Sequence, residues 1–389
     1  MLELLFLLLP IAAAYGWYMG NRNARHQRQK QNNHLSRQYV AGLNMLLSDQ
    51  SDKAVDHFIE LLQVDNETID THLILGNLFR SRGEVDRAIR IHQNLIARSS
   101  LTIEQRNIAL QQLAKDYMVA GFFDRAEKIF EQLIDEPEHK DAALAQLVTL
   151  YQQTREWDKA IFYATKLAKT GKKTIKKDIA HYWCELASIE LSDSNSDKAK
   201  QFIKRALSID ANCVRASIML SKLYIEQKKD KAAIRQLELV YEQDIDYISE
   251  ALPLLLECYE REKDEAGLLN FLKACIDRKS GATAELMMAD LISRHENLEV
   301  AQSFMTKQLV KNPTMKGFYR LMDYHLLEAE DGRAKVSLST LRSLVGEQLK
   351  MKPHYQCRKC GFSTQALYWH CPSCRGWGLV KPIKGLDGE

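Results

Sequence analysis

Proline and glycine are both scarce in this chain, at seven and 17 of 389 residues. Between Gly20 and Met351 only Pro137, Pro253 and Pro313 interrupt the sequence. So few breakers over such a length disfavour a strand-rich sandwich, which needs frequent turn residues, and exclude collagen-like and low-complexity classes. An excess of one charge is also missing, since 54 basic and 51 acidic residues leave a net +3. That balance is uneven along the chain. Arg22, Arg25, Arg28 and Lys30 stand against Glu3 at one end, and seven Lys/Arg after residue 349 stand against Asp387 and Glu389 at the other. A mildly acidic body between two basic ends is not the profile of a nucleic-acid binder, so no nucleic-acid partner is expected. Catalytic signatures are absent too. There is no H-E-x-x-H, no G-x-S-x-G, no phosphate-binding glycine loop and no G-x-G-x-x-G. The 11 histidines are dispersed, no catalytic residue is assigned, and the chain is not expected to be an enzyme. What is plentiful is apolar sequence, 46% of the residues, too much for disorder and enough for a large core.

One long apolar run stands at the N-terminus. Leu2 to Met19 reads LELLFLLLPIAAAYGWYM, which as a helix spans about 27 Å, a thin hydrocarbon core. Tyr15, Trp17 and Tyr18 cluster at its end, where amphipathic rings suit a lipid–water interface. Ala12-Ala13-Ala14 resembles a signal-peptide cleavage site, but a signal peptide carries its cations before the apolar run, and here they follow it. The expectation is an uncleaved anchor over residues 1–20, then a basic linker over 21–34, with everything after residue 20 in the cytoplasm. Cys184, Cys213, Cys258 and Cys275, scattered through helical sequence, read as small core residues in a reducing compartment.

The body repeats. Asp52-Lys53-Ala54, Asp86-Arg87-Ala88, Asp124-Arg125-Ala126, Asp158-Lys159-Ala160, Asp197-Lys198-Ala199 and Asp230-Lys231-Ala232 recur at spacings of 34, 38, 34, 39 and 33, and Asp264-Glu265-Ala266 continues loosely. A period near 34 is that of tetratricopeptide helix pairs. Small residues such as Gly76 and Ala114 lie twelve before the alanine, and Phe58, His92 or Phe130 four after it. The Asp is expected to begin each second helix and accept from free backbone amides. Ala289, Ala301 and Pro313, then Gly332-Arg333-Ala334, extend the pattern. The expectation is seven to nine helix pairs over residues 35–350, with Leu35 to Asp65 as the first and with degeneracy after 245. Exposed positions on first helices, such as Asn44, Asn77, Arg80, Asp116 and Gln152, are candidates for a partner-binding concave face. The run Lys172-Lys173…Lys176-Lys177 reads as a solvated helix end, with a docking patch as the rival reading.

At the C-terminus Cys357-Arg358-Lys359-Cys360 and Cys371-Pro372-Ser373-Cys374 stand ten residues apart. A C-x-x-C turn lets two thiolates converge on one ion, and two such turns close a tetrahedral site. Cys357, Cys360, Cys371 and Cys374 are therefore the candidate metal ligands, with disulfides as the rival in an oxidising compartment. His370 borders a set that four thiols already fill. Geometry suits zinc and iron equally. Tyr355, Phe362, Tyr368, Trp369 and Trp377 are expected to pack around the knuckles or on the last repeats, with nucleobase stacking as the sharper alternative.

Taken together, MLELLFLLLPIAAAYGWYMG at the start, LGNLFRSRGEVDRAIRIHQ at 75–93, LMDYHLLEAEDGRAK at 321–335, and CRKCGFSTQALYWHCPSCRGW with KPIKGLDG at the end make the chain resemble the lipopolysaccharide assembly protein B family of Gram-negative bacteria along its whole length. The resemblance implies an all-α fold class: one N-terminal transmembrane helix, a tetratricopeptide-repeat solenoid and a small rubredoxin-like or zinc-ribbon domain over 351–389. It implies that Cys357, Cys360, Cys371 and Cys374 bind one metal ion, iron by analogy with rubredoxin. Rubredoxin knuckles, however, carry glycine after both pairs and a longer gap; here Arg375 stands in place of the second glycine. The implied role is a single-pass inner-membrane adaptor, N-terminus periplasmic and bulk cytoplasmic, in contact with inner-membrane lipid. It restrains lipopolysaccharide synthesis by presenting the lipid A-committing deacetylase LpxC to the membrane protease FtsH, and gathers other lipopolysaccharide assembly proteins. A homo-oligomer is compatible with the architecture. The alternative function is rubredoxin-like electron transfer.

Overall fold

The computed structural model describes residues 17–20, 40–42, 44–45, 53, 69–99, 101–171, 174–295 and 297–389. The expected anchor, the basic linker, the helix pair Leu35–Asp65, and Lys172 with Lys173 lie outside these residues, apart from helical pieces at 17–20, 40–42, 44–45 and 53. Among the described residues no helix is long and apolar enough to cross a membrane. The chain divides into two compact units, Met1–Leu150 and Tyr151–Glu389.

The first unit holds α1 (Ile69–Ser81), α2 (Val85–Ile96), α3 (Ile103–Ala120), α4 (Phe123–Leu133) and most of α5 (Lys140–Thr154). The second holds α6 (Trp157–Lys169), α7 (Ile175–Ser192), α8 (Ser196–Ile209), α9 (Val214–Glu226) and α10 (Asp230–Gln243). A 3-10 turn (Ile245–Tyr247) leads into α11 (Ile248–Glu262), α12 (Glu265–Asp277), α13 (Ala282–His295), α14 (Leu298–Lys311), α15 (Met315–Glu328) and α16 (Arg333–Met351). The chain is thus a mostly helical tetratricopeptide-like array ending in a small sheet domain, which departs from a purely all-α fold.

One turn recurs within the pairs. The amide at the start of the second helix returns to the carbonyl of the aromatic that ends the first: Glu84 to Phe79 at 2.9 Å and Phe122 to Tyr117 at 2.9 Å. In the second unit Glu156 reaches Tyr151 at 3.0 Å, Lys229 reaches Tyr224 at 2.8 Å and Asp264 reaches Tyr259 at 3.1 Å. The residue before each such amide is left-handed: Gly83 (φ 83°), Gly121 (80°), Arg155 (59°), Lys228 (55°) and Lys263 (56°). Glycine suits that cap, yet only two of these five turns use it.

The turn sets the register, and it corrects two sequence assignments. The fourth residue of each described second helix up to α14 is buried: Ala88, Ala126, Ala160, Ala199, Ala233, Leu268 and Ala301. The repeat is therefore carried by Ala233 and Leu268, not by Ala232 and Ala266, because α10 and α12 begin one and two residues later relative to the tripeptide. Ala334 is likewise exposed, and Val336 takes the fourth position of α16. The recurrent Asp does not cap as expected either. The N-caps of α2, α4 and α6 are Glu84, Phe122 and Glu156 without side-chain bonds, and Asp86, Asp124 and Asp158 are the second residues of their helices, where they act on the helix dipole. Among the described residues of the recurrent tripeptides only Asp264 caps directly, accepting from Gly267 N at 3.0 Å.

Packing within the first unit explains Gly76. A Cβ there would lie 2.4 Å from His92 Nε2, so α1 and α2 meet only because the position is bare. His92 is itself buried, and its Nδ1 lies 2.5 Å from Asp116 Oδ2. Asp116 Oδ1 accepts from Arg80 Nη1 at 2.8 Å, and Arg80 also donates to Asn77 Oδ1 at 2.6 Å and Gln112 Oε1 at 3.0 Å. Three proposed partner-facing residues, Asn77, Arg80 and Asp116, thus satisfy one another, and a buried charge held this way is structural. In the second unit Gln152 Nε2 donates to Tyr182 Oη at 2.6 Å. Asn44, Lys176 and Lys177 are exposed.

Candidate metal centre

Residues after α16 form a three-stranded antiparallel sheet of β1 (Tyr355–Cys357), β2 (Ser363–Thr364) and β3 (Val380–Pro382) in the order β2-β1-β3. Tyr355 pairs with Thr364 on one side and Pro382 on the other, and Cys357 faces Val380. The two knuckles hang from this sheet and are built alike. Gly361 N donates to Cys357 O at 3.0 Å, and Arg375 N donates to Cys371 O at 2.9 Å. Gly361 and Arg375 both have positive φ, 77° and 56°. The second knuckle makes the first one's turn with a residue that carries a Cβ.

The four sulfurs lie within 4.8 Å of one another. Cys357 and Cys374 are separated by 3.6 Å, and Cys360 and Cys371 by 3.7 Å. Sulfurs about 2.3 Å from a central ion form a tetrahedron with edges of about 3.8 Å, so the donor set fits one tetrathiolate metal. Cys371 and Cys357 are buried, Cys374 is half-buried and Cys360 is exposed. The Phe362 amide holds the Cys360 thiol down to about 6, whereas burial pushes Cys374 up to about 11. His370 is not among the converging groups. Its ring stacks on Trp377 at 4.3 Å and its Nε2 lies 3.0 Å from Arg375 O.

The sheet domain is seated on α6, α7 and the turn before α11. Trp377, 8% exposed, is enclosed by His181 at 5.2 Å, Tyr182 at 5.8 Å and Trp157 at 6.0 Å. Trp369 packs on Tyr247 at 5.1 Å. Tyr247 Oη lies 3.0 Å from Gly378 O and 2.9 Å from Val380 O, and can donate to either. Lys381 Nζ bridges Asp244 at 2.7 Å and Asp246 at 3.0 Å, while Tyr355 Oη donates to Glu250 at 2.7 Å. Farther along, Glu389 accepts from Thr283 N at 2.9 Å and pairs with Lys316, tying α13 and α15 to the tail. The aromatics therefore reach α6, α7 and the turn before α11 instead of only the last pairs. Tyr355 and Phe362 stay with the knuckles, and Tyr368 is exposed. Trp377 has no free face for a base.

Known proteins agree with this arrangement of parts. Residues 355–382 match the family described as a rubredoxin metal binding domain, and residues 71–104 match the tetratricopeptide repeat. Lipopolysaccharide assembly protein B of Escherichia coli K12 is 52% identical over 388 residues, covering 100% of both chains. The protein of the same name from Haemophilus influenzae is 45% identical over 396 residues, again covering 100% of both. The chain belongs to the lipopolysaccharide assembly protein B family. In this member of the lipopolysaccharide assembly protein B family the four-cysteine metal site sits in the rubredoxin-like domain. The residues that seat it, His181, Tyr182, Tyr247 and Trp157, were not singled out from sequence. Their only local signal is an aromatic ring in helical sequence, which reads as core.

Proposed function

We propose that this chain is a non-catalytic adaptor in lipopolysaccharide assembly, held at the inner membrane. The observation that carries the reading is end-to-end similarity to lipopolysaccharide assembly protein B in two organisms. Residues 1–20 serve as a single-pass anchor with a periplasmic N-terminus, 21–34 as a basic linker over inner-membrane lipid, 35–350 as the cytoplasmic array and 351–389 as the metal domain. Cys357, Cys360, Cys371 and Cys374 hold one iron or zinc ion, whose positive charge keeps all four as thiolates. The array presents the deacetylase LpxC to the membrane protease FtsH and gathers other lipopolysaccharide assembly proteins. Tethering both near one membrane raises their effective concentration, so degradation speeds up without chemistry in this chain. The seated metal domain bears on where the partner binds. It covers parts of α6, α7 and the 245–247 turn, so partner contacts fall on surfaces it leaves open.

The test is the lifetime of LpxC in cells whose own copy is replaced by this chain. The full chain restores rapid LpxC turnover, and a version lacking residues 1–20 at equal abundance does not. Turnover restored by the soluble version removes the tethering idea. Unchanged turnover with the full chain, despite normal abundance, removes the adaptor reading.

A further inference from the structure

The last helix departs from a rule that the others keep. In the seven pairs before it among the described residues, the fourth and eighth residues of the second helix are buried, as with Ala301 and Met305 of α14. They fill the space between neighbouring helices, as His92 does between Gly76 of its own pair and Asp116 of the next first helix. In α16 the equivalent residues are Val336 and Thr340, and among the described residues α16 buries none. Val336 is 67% exposed, Leu341 56% and Leu344, one turn beyond Thr340, 55%. A helical array ordinarily ends on a polar capping helix. Here α16 packs on α15 through Arg342 and Gly346 and leaves the apolar side with Val336 and Leu344 uncovered.

Charge identifies what would cover it. Arg333 and Glu347 are both exposed, and among the described residues neither takes part in an ion pair. They share a side of the helix with Val336, Thr340 and Leu344, because steps of three and four residues return to one face. Both pairs, Arg333 with Glu347 and Val336 with Leu344, are centred on Thr340. An identical antiparallel helix related by a two-fold axis at Thr340 would set Val336 on Leu344 of the second copy and Arg333 beside its Glu347, each contact made twice. A face complementary to itself under that operation is the signature of an isologous interface.

We propose that α16 is the interface of a homodimer, packed antiparallel on the same helix of a second copy and centred on Thr340. The full chain in detergent, sized by light scattering across a concentration series at low salt, tests it. The wild type is a dimer and Leu344→Asp is a monomer with unchanged helicity and metal content. Arg333→Glu and Glu347→Arg each raise the dimer Kd about tenfold through two like-charge contacts. The double variant Arg333→Glu with Glu347→Arg recovers wild-type affinity, because reversed charges again face each other. A monomeric wild type at tens of micromolar overturns the proposal. So does a dimer indifferent to Leu344→Asp, or a double variant no tighter than either single one.

Discussion

A helix pair of the array and the sheet domain at its end hold themselves together by different means. Each pair up to α14 inserts a fully covered fourth and eighth residue between neighbouring helices, such as Ala199 and Ile203, and repeats that contact along the chain. Between Tyr355 and Pro382 the buried apolar side chains include Cys357, Cys371, Trp377 and Val380. Two of these are proposed metal ligands, and Trp377 is covered by the array. So small a segment cannot bury enough of its own surface. The array supplies its own core, whereas the sheet domain takes its order from an ion on one side and from α6, α7 and the 245–247 turn on the other.

Removing the ion breaks that contrast most sharply. Structural tetrathiolate sites supply about 10 kcal/mol or more of folding free energy in small domains. Cys357→Ser with Cys360→Ser should abolish metal binding and bring amide exchange in residues 355–382 to that of an open chain. Helicity of the array should remain, with faster exchange confined to the surfaces that seat the domain, around His181 and Tyr247. Hydrogen-exchange mass spectrometry reads both regions at once. Protection unchanged in 355–382 would show that the array alone holds the domain.

Trp377→Ala attacks the other support while leaving all four cysteines. Truncating a buried tryptophan costs about 3–5 kcal/mol. The loss should fall on docking: metal stoichiometry should stay at one, but limited proteolysis should cut between α16 and β1 faster than in the wild type. Wild-type resistance there would mean that the polar contacts of Lys381, Tyr247 and Glu389 suffice.

The same contrast explains what the sequence could reveal. Helix pairs were legible from the Asp-x-Ala recurrence because burial at one position repeats. Register failed after residue 230 because the buried position stays five residues after the left-handed residue, at Ala233 and Leu268, while Asp230-Lys231-Ala232 and Asp264-Glu265-Ala266 sit one and two residues closer to that turn than the earlier tripeptides. The convergence of four cysteines was legible from spacing, since a C-x-x-C turn is a local structure. The seat of the domain was not, because Trp377 and His181 are far apart in sequence and each alone looks like ordinary core. Asp116 misled for the related reason that its partners, Arg80 and His92, come from two earlier helices.

His181 gives the seat a pH dependence that sharpens the comparison. Burial against Trp377, with Arg215 and His370 nearby, holds its imidazole down to about 3 from 6.5. Below pH 6.5 the unfolded chain takes up a proton that the folded chain refuses. The histidine's contribution is thus complete above 6.5 and falls by about 1.4 kcal/mol per pH unit as the solution is acidified. Asp178, raised by burial to about 6 from 3.8, acts in the opposite sense. Its folded form keeps a proton that the unfolded form releases, so its contribution is present at low pH and lost as pH rises to 6. Between about pH 4 and 6 the two slopes offset each other. His181→Phe leaves Asp178 alone, so the melting temperature of the variant relative to wild type should rise steadily from pH 7 to pH 5. A pH-independent difference would mean that folding leaves the proton affinity of His181 unchanged.

The smallest effect compares the two knuckles with each other. Gly361 and Arg375 occupy equivalent positions, donate to the carbonyls of Cys357 and Cys371, and share the left-handed conformation. A Cβ there costs about 1–2 kcal/mol, while glycine gives back about 0.5–1 kcal/mol through the freedom of the unfolded chain. Arg375→Gly should therefore stabilise the metal domain by about 0.5–1 kcal/mol. The hydrogen bond from His370 survives, because it is made to the backbone carbonyl of residue 375. Slower metal transfer to a chelator, with unchanged array helicity, is the expected result. Faster transfer would mean that the arginine side chain contributes more to the knuckle than its backbone strain removes, and the likeness between the two turns would then be one of shape without being one of energy.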